Sequence, residues 1–128
     1  MAKSCQMAIT NPAQIRDDMS AFSMYLSVAD QWGLNGLQRR GLVGVTERTF
    51  YRWASGRPNL SAEQRLRVSY VVNLYLDLHT IWEGDTAYAD RWVLESNAAF
   101  GDRAPIDVMT GTLVDLHRVY EHVHRAAE

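Results

Sequence analysis

The chain holds a single cysteine, Cys5, so no internal disulfide can form and no Cys-x-x-Cys pair exists to hold a metal or exchange thiols. That pattern suits a reducing compartment. No stretch approaches the roughly 20 apolar residues that span a bilayer. The run from Met1 to Met19 is interrupted by Gln6, Thr10, Asn11, Gln14, Arg16, Asp17 and Asp18, which removes the continuous apolar segment of a secretory signal. The protein is therefore expected in the cytoplasm, with no membrane partner. Strand signals are missing too, because Asn35-Gly36 does not join two alternating runs. Nothing matches a nucleophile elbow, a phosphate-cradling glycine loop or a catalytic triad, so neither an enzyme nor a cofactor is expected.

What is present describes an ordinary globular chain. Its 128 residues are 47% apolar and 22% charged, too few for two independent large cores and too apolar for disorder. The net charge of −2 hides a strong segregation. Between Arg39 and Arg67, seven arginines (39, 40, 48, 52, 57, 65, 67) face only Glu47 and Glu63, a local balance of +5. From Val68 to Glu128, four arginines face ten carboxylates, a balance of −6. An arginine island attracts a polyanion, and an acidic remainder repels one.

Helix signals recur along the chain and imply an all-α bundle. Asn11-Pro12 reads as N-cap and first helical residue, with Ile15, Met19, Phe22, Leu26 and Ala29 at helical spacing until Gly33, so a first helix is expected over about Pro12 to Trp32. Short helices follow over Gly36 to Val43 and, capped by Thr46, over Glu47 to Ser55, closed by Gly56 with Pro58 beyond. Ser61 and Gln64 form a capping box opening the longest run, whose face is expected to be Leu66, Tyr70, Leu74, Leu78 and Ile81, with Gly84 ending it. Thr86 is expected to cap a fifth helix through about Glu95. After a loop from Asn97 to Ala104, Pro105 starts a brief helix to about Thr110. Thr112 and Asp115 then cap a last helix carrying Leu113, Leu116, Tyr120 and Val123.

The stretch from Leu42 to Trp53 has the layout of a helix-turn-helix, set within residues 36–56. Gly44 lets the backbone turn where a Cβ would clash. Val45, Phe50 and Trp53 fall where the second helix plugs into the body, which leaves Glu47, Arg48, Thr49, Tyr51 and Arg52 for a groove. Arg48 and Arg52 share a face, being four apart. Arginines there can grip guanine edges or phosphates, and Thr49 can reach a base edge or a phosphate oxygen. Arg39, Arg40, Arg57 and Arg65 flank the motif as phosphate anchors. Four residues before Gly44, where this motif prefers a small side chain, stands Arg40, with Gly41 beside it. An αα-hairpin with a solvated arginine face is the competing interpretation.

Other polar residues give weaker signals. His117, Glu121 and His124 share one face of the last helix, but no further ligand type accompanies them, so no metal is expected. His79 reads as a hydrogen-bonder at the edge of the core. Trp32, Trp53, Trp82 and Trp92 read as core anchors. Leu113 and Leu116 are expected to pack internally, which leaves Tyr120, His124 and Arg125 freer to meet a partner.

The C-terminal third adds a family resemblance. Trp92-Val93-Leu94, Asn97, Phe100-Gly101, Pro105-Ile106-Asp107-Val108-Met109 and Gly111 resemble the toxin-binding domain of the Xre/MbcA/ParS antitoxins, and Gly44 through Arg52 is similar to that family's DNA-binding half. Departures are Val93 for a usual leucine, Ser96 for a common proline and Asp102 for a frequent second glycine.

The resemblance implies a non-enzymatic antitoxin and autorepressor. Residues 1–84 would form the DNA-binding domain and 85–128 the toxin-binding domain. Its partners would be operator double-stranded DNA and a RES-domain toxin that consumes NAD, blocked at its NAD pocket. It also marks Trp92, Asn97, Phe100, Pro105 and Asp107 as toxin-binding residues. A homodimer within a larger toxin–antitoxin complex is expected, since one recognition helix reads too few base pairs for useful affinity. Deleting the chain from Leu113 onward is expected to remove neutralisation and spare operator binding. The alternative is a stand-alone helix-turn-helix regulator without a toxin.

Overall fold

A carboxylate, not the expected asparagine-proline pair, opens the first helix that the computed structural model describes, which covers residues 17–128. Asp17 is extended (φ −124°, ψ 159°) and its side chain accepts the Ser20 N–H at 2.8 Å. That cap starts α1 (Asp18–Trp32) later than Pro12 and precludes an unbroken helix from there; Asn11 and Pro12 lie outside the described residues. Gly33 ends α1 in the left-handed region at φ 68°, where a Cβ would be strained.

Three elements begin where local capping chemistry placed them. These are α2 (Gly36–Val43), with an Asn35/Gln38 capping box, α3 (Glu47–Ser55), capped by Thr46, and α4 (Ala62–Ile81), with the Ser61/Gln64 box. The buried face of α4 is Arg67, Val68, Val71, Val72, Leu74 and Leu78; Leu66 is 41% exposed, while Tyr70 and Ile81 are only partly buried. The expected stripe stepped mostly by fours, and four residues overshoot one helical turn by about 40°. Its early members therefore drift off the packed side.

Asp85, rather than Thr86, caps α5 (Thr86–Arg91), accepting the Tyr88 N–H at 3.1 Å. The α-helix stops at Arg91 instead of about Glu95. It tightens into a 3₁₀ turn over Trp92–Leu94, which lets the neighbours Trp92 and Val93 both bury. In the following loop the Asn97 side chain accepts the Ala99 N–H at 2.9 Å, and its backbone N–H donates to the Arg103 carbonyl at 3.1 Å. Gly101 (φ 67°) and Asp102 (φ 65°) are consecutive left-handed residues, so the aspartate adopts a backbone that suits the glycine common there in the family it resembles. Pro105–Met109 forms α6, and Leu113–Ala127 forms α7 behind the Thr112/Asp115 capping box.

One apolar cluster joins these helices. It runs from Phe22, Tyr25 and Trp32 of α1 through Leu42 and Val43 of α2, Phe50 and Trp53 of α3 and the buried face of α4 to Met109, Leu116, Val119 and Val123. The long helix α4 lies between α1 and α7 and packs against both. Among the described residues there is no strand, only the isolated Asn97–Arg103 bridge, and no helix is long and apolar enough to cross a membrane. The fold is all-α.

Candidate nucleic-acid interface and partner-binding face

The inner side of α3 is aromatic. Phe50 and Trp53 meet Phe22 of α1 edge-on, at 5.5 Å and 71° and at 5.6 Å and 82° between ring centroids. That anchorage turns Glu47, Arg48, Tyr51 and Arg52 outward to solvent, with Tyr51 63% exposed and Thr49 partly so.

The seven arginines of the basic island divide. Arg39 pairs with Asp30 at 2.8 Å, donates from Nε to the Leu34 carbonyl at 2.8 Å, and offers its own carbonyl to the Tyr25 hydroxyl at 2.7 Å. Burial pushes the Tyr25 phenol far above its ordinary range, so it stays a donor. Arg65 is bonded to Asp18, whose other oxygen accepts the Leu60 N–H at 2.9 Å. Arg67 is buried. Arg39 and Arg65, expected as phosphate anchors, thus tie helices together. Among the described residues, Arg40, Arg48, Arg52 and Arg57 make no ion pair and no side-chain hydrogen bond. Arg40 lines a shallow concavity of about 450 Å³ with Gly41, Gly44, Val45, Thr46, Thr49 and Gln64, at the turn entering α3.

The C-terminal half sorts differently. Trp92, Phe100 and Pro105, the first residue of α6, are buried; Trp92 lies edge-on to Phe100 at 6.3 Å, and Phe100 in turn lies edge-on to His122 of α7 at 5.2 Å. Asn97 organises its loop through the bonds given above. Asp107 is exposed, its carbonyl accepting from Arg103 at 3.0 Å. On α7, Tyr120 stacks between Tyr70 of α4 (5.1 Å, 30°) and His124 (5.2 Å, 18°), and His117 lies 5.2 Å from Tyr70. Arg125 is exposed and 3.4 Å from Glu121. The Nδ1 of His124 is 2.9 Å from Asp77, and its Nε2 is 3.8 Å from Glu128. Sequence reasoning placed Tyr70 on the packed stripe of α4 rather than beside Tyr120, and it did not single out Asp77. Their seven-residue separation on α4, matching two helical turns, was the available signal.

The expected His117, Glu121 and His124 face does not converge on a metal. Among the described residues, no group of three His, Cys, Asp or Glu side chains is placed to hold one. His79 bonds Asp90 at 2.7 Å, the core-edge role expected of it.

Both halves match known domain models. Residues 13–73 match the antitoxin Xre-like helix-turn-helix domain, and residues 77–128 match the antitoxin Xre/MbcA/ParS C-terminal toxin-binding domain. The chain belongs to the Xre/MbcA/ParS antitoxin family. One relative, the uncharacterized protein y4oB of Sinorhizobium fredii (strain NBRC 101917 / NGR234), is 26% identical over 116 residues, which cover 89% of this chain and 87% of that protein.

Membership gives this antitoxin a binding role in a toxin–antitoxin pair, with a DNA-binding half and a toxin-binding half. The antitoxin's His124 also yields a titration test. Its hydrogen bond to Asp77 raises the imidazole above the ordinary 6.5, and the nearby Asp77 and Glu128 charges add to that. A raised value means the pair stabilises the fold fully below about 6.5. That stabilisation is lost as the pH rises through the folded-state value. NMR titration of the intact chain should show His124 titrating above 6.5, and Asp77→Asn should bring it down toward that value. An unchanged midpoint in the variant would exclude Asp77 as the cause.

Proposed function

We propose that this antitoxin represses its own operon by seating α3 in the major groove of operator DNA, and neutralises a RES-domain toxin by covering its NAD pocket with the exposed side of α7. The operator reading rests on one observation: Arg48 and Arg52 lie on the exposed side of α3 without a carboxylate partner among the described residues. A guanidinium free of intramolecular ion pairs can offer its planar donor fork to guanine or phosphate. Arg40 and Arg57 are assigned to the DNA backbone on the same ground, with Thr49 and Tyr51 beside the reading pair. Arg39 is left out because Asp30 holds it.

A single α3 spans too few base pairs for tight binding, so two copies acting as a homodimer on a palindromic site complete the reading. On the toxin side, exposed Arg125 and Asp107 and half-buried Tyr120 and His124 supply the contacting groups, while Trp92, Asn97, Phe100 and Pro105 shape their support. The −6 balance from Val68 onward is complementary to a cleft that attracts the anionic diphosphate of NAD.

Arg48→Ala and Arg52→Ala should each weaken operator binding by about 1–3 kcal/mol, roughly 5- to 150-fold, measured at matched salt by fluorescence anisotropy. Wild-type affinity in both variants would exclude α3 as the reading element.

A further inference from the structure

Arg67 is the buried charge that neither binding reading employs. Only 6% of the residue is exposed, and a guanidinium cannot shed its charge, so its burial is tolerable only with its donors met. Its Nε donates to Glu63 on its own helix at 3.2 Å. Its Nη1 donates to the Leu42 carbonyl and its Nη2 to the Gly111 carbonyl, each at 3.2 Å. Those two acceptors come from opposite halves of the chain.

Each acceptor sits at a decisive place. Leu42 belongs to the last turn of α2, whose carbonyls lack partners within the helix, so Arg67 caps the helix leading into the turn before α3. Gly44 follows at φ +83°, and a Cβ there would lie 3.5 Å from the Arg67 Nε. Gly111 immediately precedes the capping box of α7, and a Cβ on it would meet the Asp115 carboxylate at 2.7 Å. A close approach runs alongside: the Gly41 backbone lies so near Thr110 that an added Cβ would sit 3.3 Å from its methyl. The close approach allowed by Gly41 is therefore to the toxin-binding half.

The geometry points to Arg67 as a positioning residue that couples toxin engagement on α7 to the pose of α3, so that each partner alters the affinity for the other. This rests on the operator and toxin reading above. A planar fork holds its two carbonyls at one separation, so displacement of Gly111 by a toxin on α7 is passed to Leu42 and Gly44. Thermodynamic linkage makes the effect reciprocal.

The test measures operator affinity for the full chain, alone and saturated with the toxin of its own operon, at fixed salt. In the wild type, toxin should change the operator Kd by about 5- to 150-fold. Arg67→Lys keeps the charge but replaces the fork with one ammonium on a flexible stem. It should bring that factor to within about twofold of unity while neutralisation by the free chain persists. Gly41→Ala, which suits a helix and presses on Thr110, should reduce the factor as well and decides the matter if Arg67→Lys does not fold. An Arg67 that merely holds the fold together would lower the melting temperature and leave the factor at its wild-type value, which overturns the coupling. A wild-type factor of one overturns it too, with operator recognition intact. Absence of operator binding by the wild type overturns the underlying reading instead.

Discussion

Replacing Trp53 with alanine is expected to lower stability by about 3–5 kcal/mol and to abolish operator binding at temperatures where the wild type still binds. The indole is 3% exposed and meets Phe22 of α1 edge-on at 5.6 Å. The nine residues of α3 are too few to persist as an isolated helix. Its buried contacts are Phe50 and Trp53 alone, so removing one leaves the helix hinged on a single ring. The melting temperature should fall by roughly 10–20 °C for a domain of this size. Urea denaturation and anisotropy on one preparation check both parts. Trp53→Phe, which keeps an aromatic edge, should lose less of each. Retained operator affinity in folded Trp53→Ala would show that Phe50 suffices to aim α3.

Deleting residues 113–128 should unfold the molecule rather than separate its two activities. The deletion removes Leu116, Val119 and Val123, all 2% exposed or less. Each is worth about 1.5–3 kcal/mol, so their sum rivals the roughly 5–15 kcal/mol that holds a domain together. It also uncovers the side of α4 that packs against α7. The expected result is loss of a cooperative melt by circular dichroism, with operator binding lost along with neutralisation. The expectation drawn from the sequence, that this cut spares operator binding, treated α7 as an appendage. A cleaner separation comes from Tyr120→Ala combined with Arg125→Ala, which alters the partly open face of α7 and leaves its buried residues in place. A truncated chain with a sharp melt and intact operator affinity would refute this account of α7.

Legibility in the sequence followed range. The Thr46 cap, the Ser61/Gln64 and Thr112/Asp115 boxes and the start at Pro105 are written within three or four residues, and the helices begin there. The helix-turn-helix was readable because Gly44, Phe50 and Trp53 occupy set offsets. The fate of the arginines was not. Arg65 finds Asp18 47 positions away, and Arg67 finds Gly111 44 positions away, so counting charge could not tell a tied guanidinium from an open one. Trp92, Phe100 and Pro105 carry the family's pattern, yet their burial shows that a motif can mark the support beneath a surface. Asp85 displaced Thr86 as the cap of α5 because a neighbouring carboxylate was equally suited to the Tyr88 N–H.

The matched domains end at residue 73 and resume at residue 77, a seam that falls inside one uninterrupted helix, Ala62–Ile81. Recombination between the two matched domains would therefore cut through a packed helix rather than a linker. A hybrid of two relatives would inherit a central rod whose one flank was shaped by the first parent and whose other flank must fit the second. New operator and toxin specificities are more readily acquired by drift of surface side chains than by exchange of whole halves.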